Sequence, residues 1–163
     1  LKRRFVVSDG AMFRRAWGSF ATGVSLITTL EKDGSTHGMT ANGIASVSLD
    51  PMLVMVCVGH KANTFPIITE TGRYGINILN EDQKDIGEHY ASSANQGSEE
   101  FESNFTASKS GIPFVKNALA SMDCKVVNTH SEGDHTIFIG AVEEIQVSEG
   151  RPLLFFSSKW LTL

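Results

Sequence analysis

Side chains that donate hydrogen bonds cluster where an apolar run gives way to a helix-like segment. They are His60, Lys61, Asn63 and Thr64, directly after Gly59. The start of a helix with a cation nearby suits a phosphate, because unpaired backbone N–H groups point out of the helix there. The same residues are also typical of a tight turn followed by an ordinary capped helix. Spacing alone favours the ordinary helix.

A second short motif, Gly133-Asp134-His135, places a carboxylate and an imidazole directly after a turn residue. Glycine permits a turn that brings aspartate and histidine to the mouth of a strand. Taken alone, this tripeptide is typical of a hairpin with an exposed histidine.

The two cysteines do not form a metal-binding or redox motif. Cys57 lies inside an apolar run and Cys124 beside Met122 and Val126, with no Cys-x-x-Cys pair and no histidine at metal-ligand spacing. We expect both thiols to be reduced and buried, and we expect no metal site.

The stretch before the donor cluster predicts two neighbouring strands of different character. Residues 36–48 are rich in Gly, Ala, Ser and Thr, and small side chains let a ligand approach the backbone of a strand closely. After a turn at Leu49-Asp50-Pro51, residues 52–58 form a continuous apolar run, which predicts a strand buried on both faces. We therefore expect one sheet with a packed region and a ligand-facing region.

Capping and breaking residues delimit three predicted helices, at residues 10–20, at residues 64–71, and from residue 80 or 82 to about residue 94. Candidate N-caps of the first and third helices are Ser8 or Asp9, and Asn80 or Asp82. The second helix closes at Gly72. The apolar residues of the first helix share one face, so we expect it to pack against the sheet.

Strand signals dominate the rest of the chain. They fall at residues 22–30, 74–79, 124–129, 136–147 and 153–156. The polar segment 92–110 is predicted to be a mobile loop, pinned to the body by Phe101 and Phe105. Because strands and helices do not alternate as βαβ units, the pattern predicts an antiparallel barrel, closed or split, with a few flanking helices.

Length and composition limit the class of protein. A chain of 163 residues fits one domain, spanning 1–163, with a sizeable core. The net charge of −4 and the isolated basic pairs provide no basic face, which argues against nucleic-acid binding. No run approaches the roughly 20 apolar residues that span a bilayer, and the start lacks an apolar signal-peptide core. We therefore expect a cytoplasmic protein with no membrane segment.

Six motifs together resemble the short-chain flavin reductase family, the small components of two-component flavin-dependent monooxygenases such as phenol and 4-hydroxyphenylacetate hydroxylases. They are FRRAWGSFATGVSLITT (13–29), HGMTAN (37–42), SVSLDP (46–51), VCVGHKANTF (56–65), EGDHTIFIGAV (132–142) and PLLFFSSKW (152–160). The resemblance covers nearly the whole chain, and six motifs in one order are specific where any one would be weak. It implies the FMN-binding split barrel, a mainly β fold with flanking helices.

The resemblance also implies an activity and partners. The family transfers hydride from NADH or NADPH to FMN or FAD and releases the reduced flavin to a monooxygenase. Relatives build the flavin cleft near a subunit interface, which implies a homodimer. The residues do not distinguish FMN from FAD, or NADH from NADPH.

By resemblance, most of the cofactor-binding residues lie in the first half of the chain. Those expected beside the isoalloxazine ring and ribityl chain are Met39, Thr40, Ala41, Asn42, Ser46, Val47 and Ser48. Those expected near the flavin phosphate are Lys61, Asn63 and Thr64, and the strand beneath them contributes Cys57, Val58 and Gly59.

The other half of the implied site is the Gly133-Asp134-His135 motif, in which His135 faces the nicotinamide carboxamide or the flavin edge. His135 would orient a ring, and we do not assign it as an obligatory general acid. Trp160 stacks on an adenine or packs in the core, and the two interpretations are equally open. Of the other histidines, we expect His37 near the cleft, His60 near the phosphate, and His89 and His130 at the surface.

Two other functions are compatible with the same motifs. One is a flavin-binding electron carrier resembling flavoredoxin, which would hold FMN without oxidising a nicotinamide directly. The other is a non-catalytic split-barrel protein that binds a flavin for structural or sensing purposes.

Overall fold

The computed structural model describes residues 9–94 and 99–163. The strands in chain order are β1 (Thr22–Gly23), β2 (Ser25–Leu30), β3 (Thr36–Ala41), β4 (Ile44–Leu49), β5 (Met52–Gly59), β6 (Arg73–Ile78), β7 (Phe105–Ala107), β8 (Pro113–Val115), β9 (Ala120–Glu132), β10 (His135–Val147), β11 (Leu154–Phe156) and β12 (Lys159–Leu161). The helices are α1 (Gly10–Trp17), α2 (Thr64–Thr71), α3 (Lys84–His89) and α4 (Glu99–Glu102), with a 3-10 turn at Glu81–Gln83 before α3.

The main sheet is antiparallel, with the strand order β3-β2-β6-β9-β10-β5-β4. Its two edge strands are consecutive along the chain, joined only by Asn42 and Gly43. If the sheet were flat, its edges would lie roughly 28 Å apart, which two residues cannot span. The sheet therefore curls into a barrel that is split between β3 and β4. This confirms the predicted mainly β, antiparallel split barrel.

The interior of the barrel forms one hydrophobic cluster, made of Ile27, Val56, Val58, Ile68, Tyr74, Ile76, Cys124 and Phe138. Full burial of an aliphatic side chain of this size contributes about 1.5–3 kcal/mol. In β5, the buried Val56 and Val58 alternate with the half-buried Met55 and Cys57. The prediction that this strand is buried on both faces is therefore wrong, because only alternate residues of a single curled sheet face the interior.

The first helix differs from its prediction in length and in packing. Asp9 caps it, its side chain accepting from the Met12 N–H at 2.7 Å, and α1 ends at Trp17 instead of residue 20. Phe13 is 70% exposed and Trp17 64% exposed, and no residue of α1 is buried. The prediction that this helix packs against the sheet is wrong, because periodicity shows that an apolar face exists but not what covers it. The alternative cap, Ser8, lies outside the described residues.

Long-range hydrogen bonds explain two other differences. The predicted strand 22–30 is interrupted at Val24, whose N–H donates to the Leu153 carbonyl, and β1 joins β11 and β12 in a small separate sheet. The predicted third helix is a 3-10 turn capped by Asn80 and then α3, which stops at His89. The next residue, Tyr90, is hydrogen-bonded to β3 instead, because its carbonyl accepts from the Thr40 N–H.

The polar segment 92–110 is not a loop throughout, in contrast to the prediction, because part of it forms regular secondary structure. It contains α4 and β7, and its residues 95–98 lie outside the described part of the chain. Phe101 and Phe105 pack against a second hydrophobic cluster that includes Tyr90 and Leu153. Their predicted role as apolar anchors is confirmed, and they fix this segment beside the end of α3.

Candidate functional site

Two adjoining cavities run along β3. The larger, about 340 Å³, is lined by residues 37–40, residues 61–64, Tyr90, Ala91 and Ser93. The smaller, about 170 Å³, is lined by Val24, residues 40–42, Ala91, Phe155 and Trp160. Because Thr40 and Ala91 belong to both, the two cavities form one elongated cleft, which we call the β3 groove.

The end of α3 forms the wall opposite β3, and two hydrogen bonds hold it there. The Thr40 N–H donates to the Tyr90 carbonyl at 3.0 Å, and the Thr40 hydroxyl donates to the Gly87 carbonyl at 2.7 Å. Gly38 leaves room for this wall, since a Cβ at that position would lie 2.6 Å from Tyr90 Cδ1. The small residues of β3 therefore admit part of the protein itself as well as a groove.

Donor groups at the start of α2 form one end of the β3 groove. Lys61 is exposed, and no described carboxylate forms an ion pair with it. The side chain of Asn63 makes no capping hydrogen bond to α2 and donates instead to the Ser93 carbonyl at 3.4 Å. A cation and a helix start without a side-chain cap thus lie together, as an anion site requires.

Thr64, the first residue of α2, is buried at the same end and contacts a buried histidine. His37 Nε2 lies 2.9 Å from Thr64 Oγ1, and His37 Nδ1 lies 2.7 Å from Glu31 Oε1. The prediction that His37 lies near the cleft agrees with its place in the groove wall. The link between His37 and Thr64 is not apparent from the sequence, because 27 residues separate the two.

Trp160 and Phe155 close the other end of the β3 groove. The Trp160 ring packs on α3, where a Cβ on Gly87 would lie 3.0 Å from it, and it meets Phe155 edge to face at a centroid distance of 5.3 Å. Trp160 also lines the smaller cavity beside Asn42. It is therefore a packing residue that also presents surface to the groove.

The Gly133-Asp134-His135 motif forms the β9–β10 turn, where Gly133 has a φ of +61°. The Asp134 carboxylate accepts from His135 Nδ1 at 2.7 Å, and this hydrogen bond is the main reason that the pKa of Asp134 is lowered. His135 pairs in register with Gly59, and a Cβ on Gly59 would lie 3.4 Å from His135 Nε2. The motif thus lies beside the strand end that leads to Lys61, but it does not line either cavity of the groove.

The remaining predicted residues fall outside the groove. Ser46 and Ser48 line a separate apolar cavity of about 440 Å³ between β4 and the opposite barrel strands, and Val47 is half exposed. Cys57 is half-buried beneath Gly43, and burial raises the pKa of its thiol. Val58 is wholly buried in the barrel, so its side chain contributes packing.

The other histidines occupy different environments. His60 turns towards β10, with its Nε2 3.0 Å from Thr136 Oγ1, and does not line the groove although Lys61 follows it. His130 is exposed, as predicted. His89 is half-buried and stacks on Phe101 at a centroid distance of 4.0 Å, so the prediction of a surface histidine is wrong there.

Residues 17–163 match the family model described as the flavin reductase like domain. The chain belongs to the flavin reductase-like family. The match covers both ends of the β3 groove and the β9–β10 turn.

None of the helices in the described residues is long and apolar enough to span a membrane.

Named members of the family are similar over almost the whole chain. An NADH-dependent flavin reductase from a Rhodococcus species is 41% identical over 92% of this chain and 84% of its own length. The reductase subunit HsaB of a flavin-dependent monooxygenase from Mycobacterium tuberculosis is 36% identical over 91% of this chain and 79% of its own length.

Solved structures of family members share the fold. The flavin reductase PheA2 is 45% identical, covers 96% of this chain and 99% of its own, and superposes with a TM-score of 0.87. The NADH:FAD oxidoreductase SgcE6 of Streptomyces globisporus, in complex with NAD and FAD fragments, is 29% identical, covers 96% and 95% of the two chains, and has a TM-score of 0.86.

Proposed function

We propose that this protein is an NAD(P)H-dependent flavin reductase that transfers hydride from the nicotinamide to FMN or FAD. The β3 groove carries the proposal, because it joins anion donors at the start of α2 to an aromatic wall at Trp160. Relatives named as NADH-dependent flavin reductases support the same reaction. Bound flavin and nicotinamide supply the redox chemistry, so the protein has to hold and align them.

The donor set of the groove fits a flavin. A flavin mononucleotide has a flat apolar ring system, a polyol chain and a terminal phosphate. We propose that Lys61, Asn63 and Thr64 bind the phosphate, and that the β3 residues Met39, Thr40, Ala41 and Asn42 border the polyol and the ring. Donors at one end and carbon-rich walls along β3 match the two ends of such a ligand.

Residues beyond the groove would complete the ring site. Asn42 ends the groove and Gly43 follows it, so contacts from Ser46, Val47 and Ser48 would continue along β4, with Cys57 and Gly59 on the neighbouring strand. Trp160 would face the adenine of FAD or of the nicotinamide cofactor. These assignments rest on the family resemblance and on chain continuity from Asn42.

His135 is the proposed nicotinamide-orienting residue. The hydrogen bond from Nδ1 to Asp134 fixes the orientation of the ring, and it leaves Nε2 above the backbone of Gly59. A fixed imidazole beside the strand end that leads to Lys61 is suited to hold a carboxamide. Gly133 supplies the left-handed turn that this arrangement needs.

We propose a homodimer that supplies reduced flavin to a separate monooxygenase in the cytoplasm, where nicotinamide cofactors are available. The exposed apolar face of α1 supports a protein interface, because monomeric proteins rarely leave adjoining aromatic residues in water. Relatives named as monooxygenase reductase subunits support the oxygenase partner.

The decisive experiment is anaerobic oxidation of NADH and NADPH by the purified protein, with and without excess FMN, FAD or riboflavin. We expect bleaching of many equivalents of added flavin. The relative rates would also identify the preferred nicotinamide cofactor and the preferred flavin. Flavin binding without bleaching would indicate that the protein is an electron carrier or a sensor and not a reductase. Absence of flavin binding would remove the groove as the site.

A further inference from the structure

A buried chain of hydrogen bonds leads from the surface to the donor end of the β3 groove. It runs from Glu31 through His37 to Thr64, with distances of 2.7 Å and 2.9 Å. His37 and Thr64 are each 1% exposed, and the Glu31 side chain is 40% exposed. Both His37 and Thr64 line the larger cavity, so the chain ends at the groove wall.

The protonation state of His37 decides what Thr64 can offer a ligand. An ionised Glu31 only accepts, so the His37 nitrogen beside it, Nδ1, carries a proton. If His37 is neutral, Nε2 has a lone pair and accepts the proton of the Thr64 hydroxyl. Thr64 then presents only oxygen lone pairs to the groove, and these repel an anion.

A second proton on His37 reverses this arrangement. Nε2 then donates to Thr64 Oγ1, and the hydroxyl proton of Thr64 is free to turn towards the groove. The imidazolium carries one positive charge between the Glu31 carboxylate and the groove. A phosphate would gain a charge-assisted donor without any movement of the backbone.

We propose that His37 is a positioning residue that couples binding of the flavin phosphate to uptake of one proton. The proton comes from solvent and binds Nε2, Nδ1 keeps its own proton and donates it to the Glu31 carboxylate, and the Thr64 hydroxyl turns its donated hydrogen bond from His37 to a phosphate oxygen. No other bond forms or breaks. This inference rests on the phosphate position in the proposed function and adds its pH dependence.

Other charged or titratable groups surround this chain. Those nearest on the packed elements are Lys61 before α2, the Lys32–Glu70 ion pair between the β2–β3 turn and α2, Tyr90 after α3, and Glu102 of α4, which accepts from Thr36. Burial raises the pKa of Tyr90 to about 12, so this phenol stays neutral over the range tested. Among the described residues that line the larger cavity, His37 is the one imidazole.

The test is calorimetric titration of the whole protein with FMN and with riboflavin at pH 8, in two buffers of different ionisation enthalpy. A phosphate monoester has a second pKa of about 6, so free FMN is already a dianion at pH 8 and any proton taken up belongs to the protein. We expect roughly one proton per FMN and none per riboflavin, with FMN affinity falling as the pH is raised above 8 while riboflavin affinity stays constant.

Two variants separate this coupling from a structural role. His37→Gln and Glu31→Gln should abolish proton uptake and flatten the FMN pH dependence, while riboflavin affinity changes less than about twofold. Glu31 is partly exposed, so Glu31→Gln remains informative if His37→Gln does not fold. Glu70→Gln removes a neighbouring exposed carboxylate and should behave like the wild-type protein.

The outcomes are distinct. Uptake that is equal for FMN and riboflavin, or that persists in both variants, would overturn the coupling and leave the phosphate site intact. Equal affinities of the wild-type protein for FMN and riboflavin would remove the phosphate site and the coupling together. Equal loss of both flavins in the variants would show that the chain only supports the fold.

Discussion

The ring of Tyr90 occupies the space that a side chain at position 38 would need. A Cβ on Gly38 would lie 2.6 Å from Tyr90 Cδ1 and 2.9 Å from Tyr90 Cε1. The ring cannot swing freely away, because the Tyr90 carbonyl accepts from the Thr40 N–H and the side chain is almost fully buried. The wall of the groove therefore depends on a glycine in the opposite strand.

The first prediction concerns this contact. Gly38→Ala should lower the free energy of unfolding by about 1–3 kcal/mol and weaken flavin binding, because overpacking shifts the end of α3 from β3. Urea unfolding and flavin titration measure the two effects. Gly23→Ala is the matched control, since a Cβ there would meet no atom within 4 Å. Equal destabilisation by both variants would contradict the argument.

The second prediction concerns Lys61. Lys61→Ala should weaken FMN binding roughly tenfold and riboflavin binding little, because a charge-assisted contact to phosphate is lost. Fluorescence titration with both flavins checks this, and added salt should narrow the difference. Lys125→Ala, which removes an exposed lysine from β9, should leave both affinities unchanged. Equal losses for FMN and riboflavin would mean that Lys61 does not face the phosphate.

The third prediction concerns His135. His135→Ala should raise the KM for NADH more than the Kd for flavin, because the ring orients the nicotinamide and lies outside the groove. Steady-state kinetics and flavin titration separate the two quantities. His130→Ala changes an exposed histidine of the same hairpin and should leave both unchanged. Unaltered NADH kinetics in His135→Ala would remove this residue from the site.

The fourth prediction concerns the thiols. Burial raises the pKa of Cys124 to about 12 and also raises the pKa of the half-buried Cys57. At pH 8 an alkylating reagent should therefore label Cys57 more slowly than free cysteine and leave Cys124 unlabelled, with the Cys57 rate rising with pH as more thiolate forms. Mass spectrometry counts the labels, and Cys57→Ser should give none. Labelling of Cys124 in the folded protein would contradict its burial.

The fifth prediction concerns α1. If its exposed aromatic face is the dimer interface, the double variant Phe13→Glu and Trp17→Glu should convert the dimer to a monomer, because charged residues at the centre of an interface are costly. Light scattering measures the mass. Arg15→Glu introduces the same side chain on the same helix without removing an apolar residue, and it should remain dimeric. A dimer in the double variant would place the interface elsewhere.

Local signals predicted the elements whose limits depend on nearby residues. Thr64–Thr71 ends at Gly72, whose φ of +65° is the left-handed conformation that glycine favours, and Asn80 caps the 3-10 turn before α3. The resemblance supplied the split barrel, because six ordered motifs specify a topology that periodicity leaves open.

Features set by distant residues escaped prediction. The end of the third helix depends on the bond between Tyr90 and Thr40, and no pattern within residues 80–94 marks that contact. The apolar residues of α1 have the spacing of an ordinary packing face, and this spacing does not depend on what covers the face. The contact between Glu31 and His37 is local to the β2–β3 hairpin, but its continuation to Thr64 spans 27 residues and depends on the packing of α2 against β3.

The bond between Thr40 and Tyr90 also bears on aggregation. β3 is an edge strand of the main sheet, and an edge strand with free N–H and C=O groups can pair with a strand of another molecule. Here the Thr40 N–H is already occupied by the Tyr90 carbonyl, and the Tyr90 ring covers the backbone at Gly38. The contact that shapes a ligand groove thus also removes, at Thr40, one of the free backbone groups with which a neighbouring chain could pair.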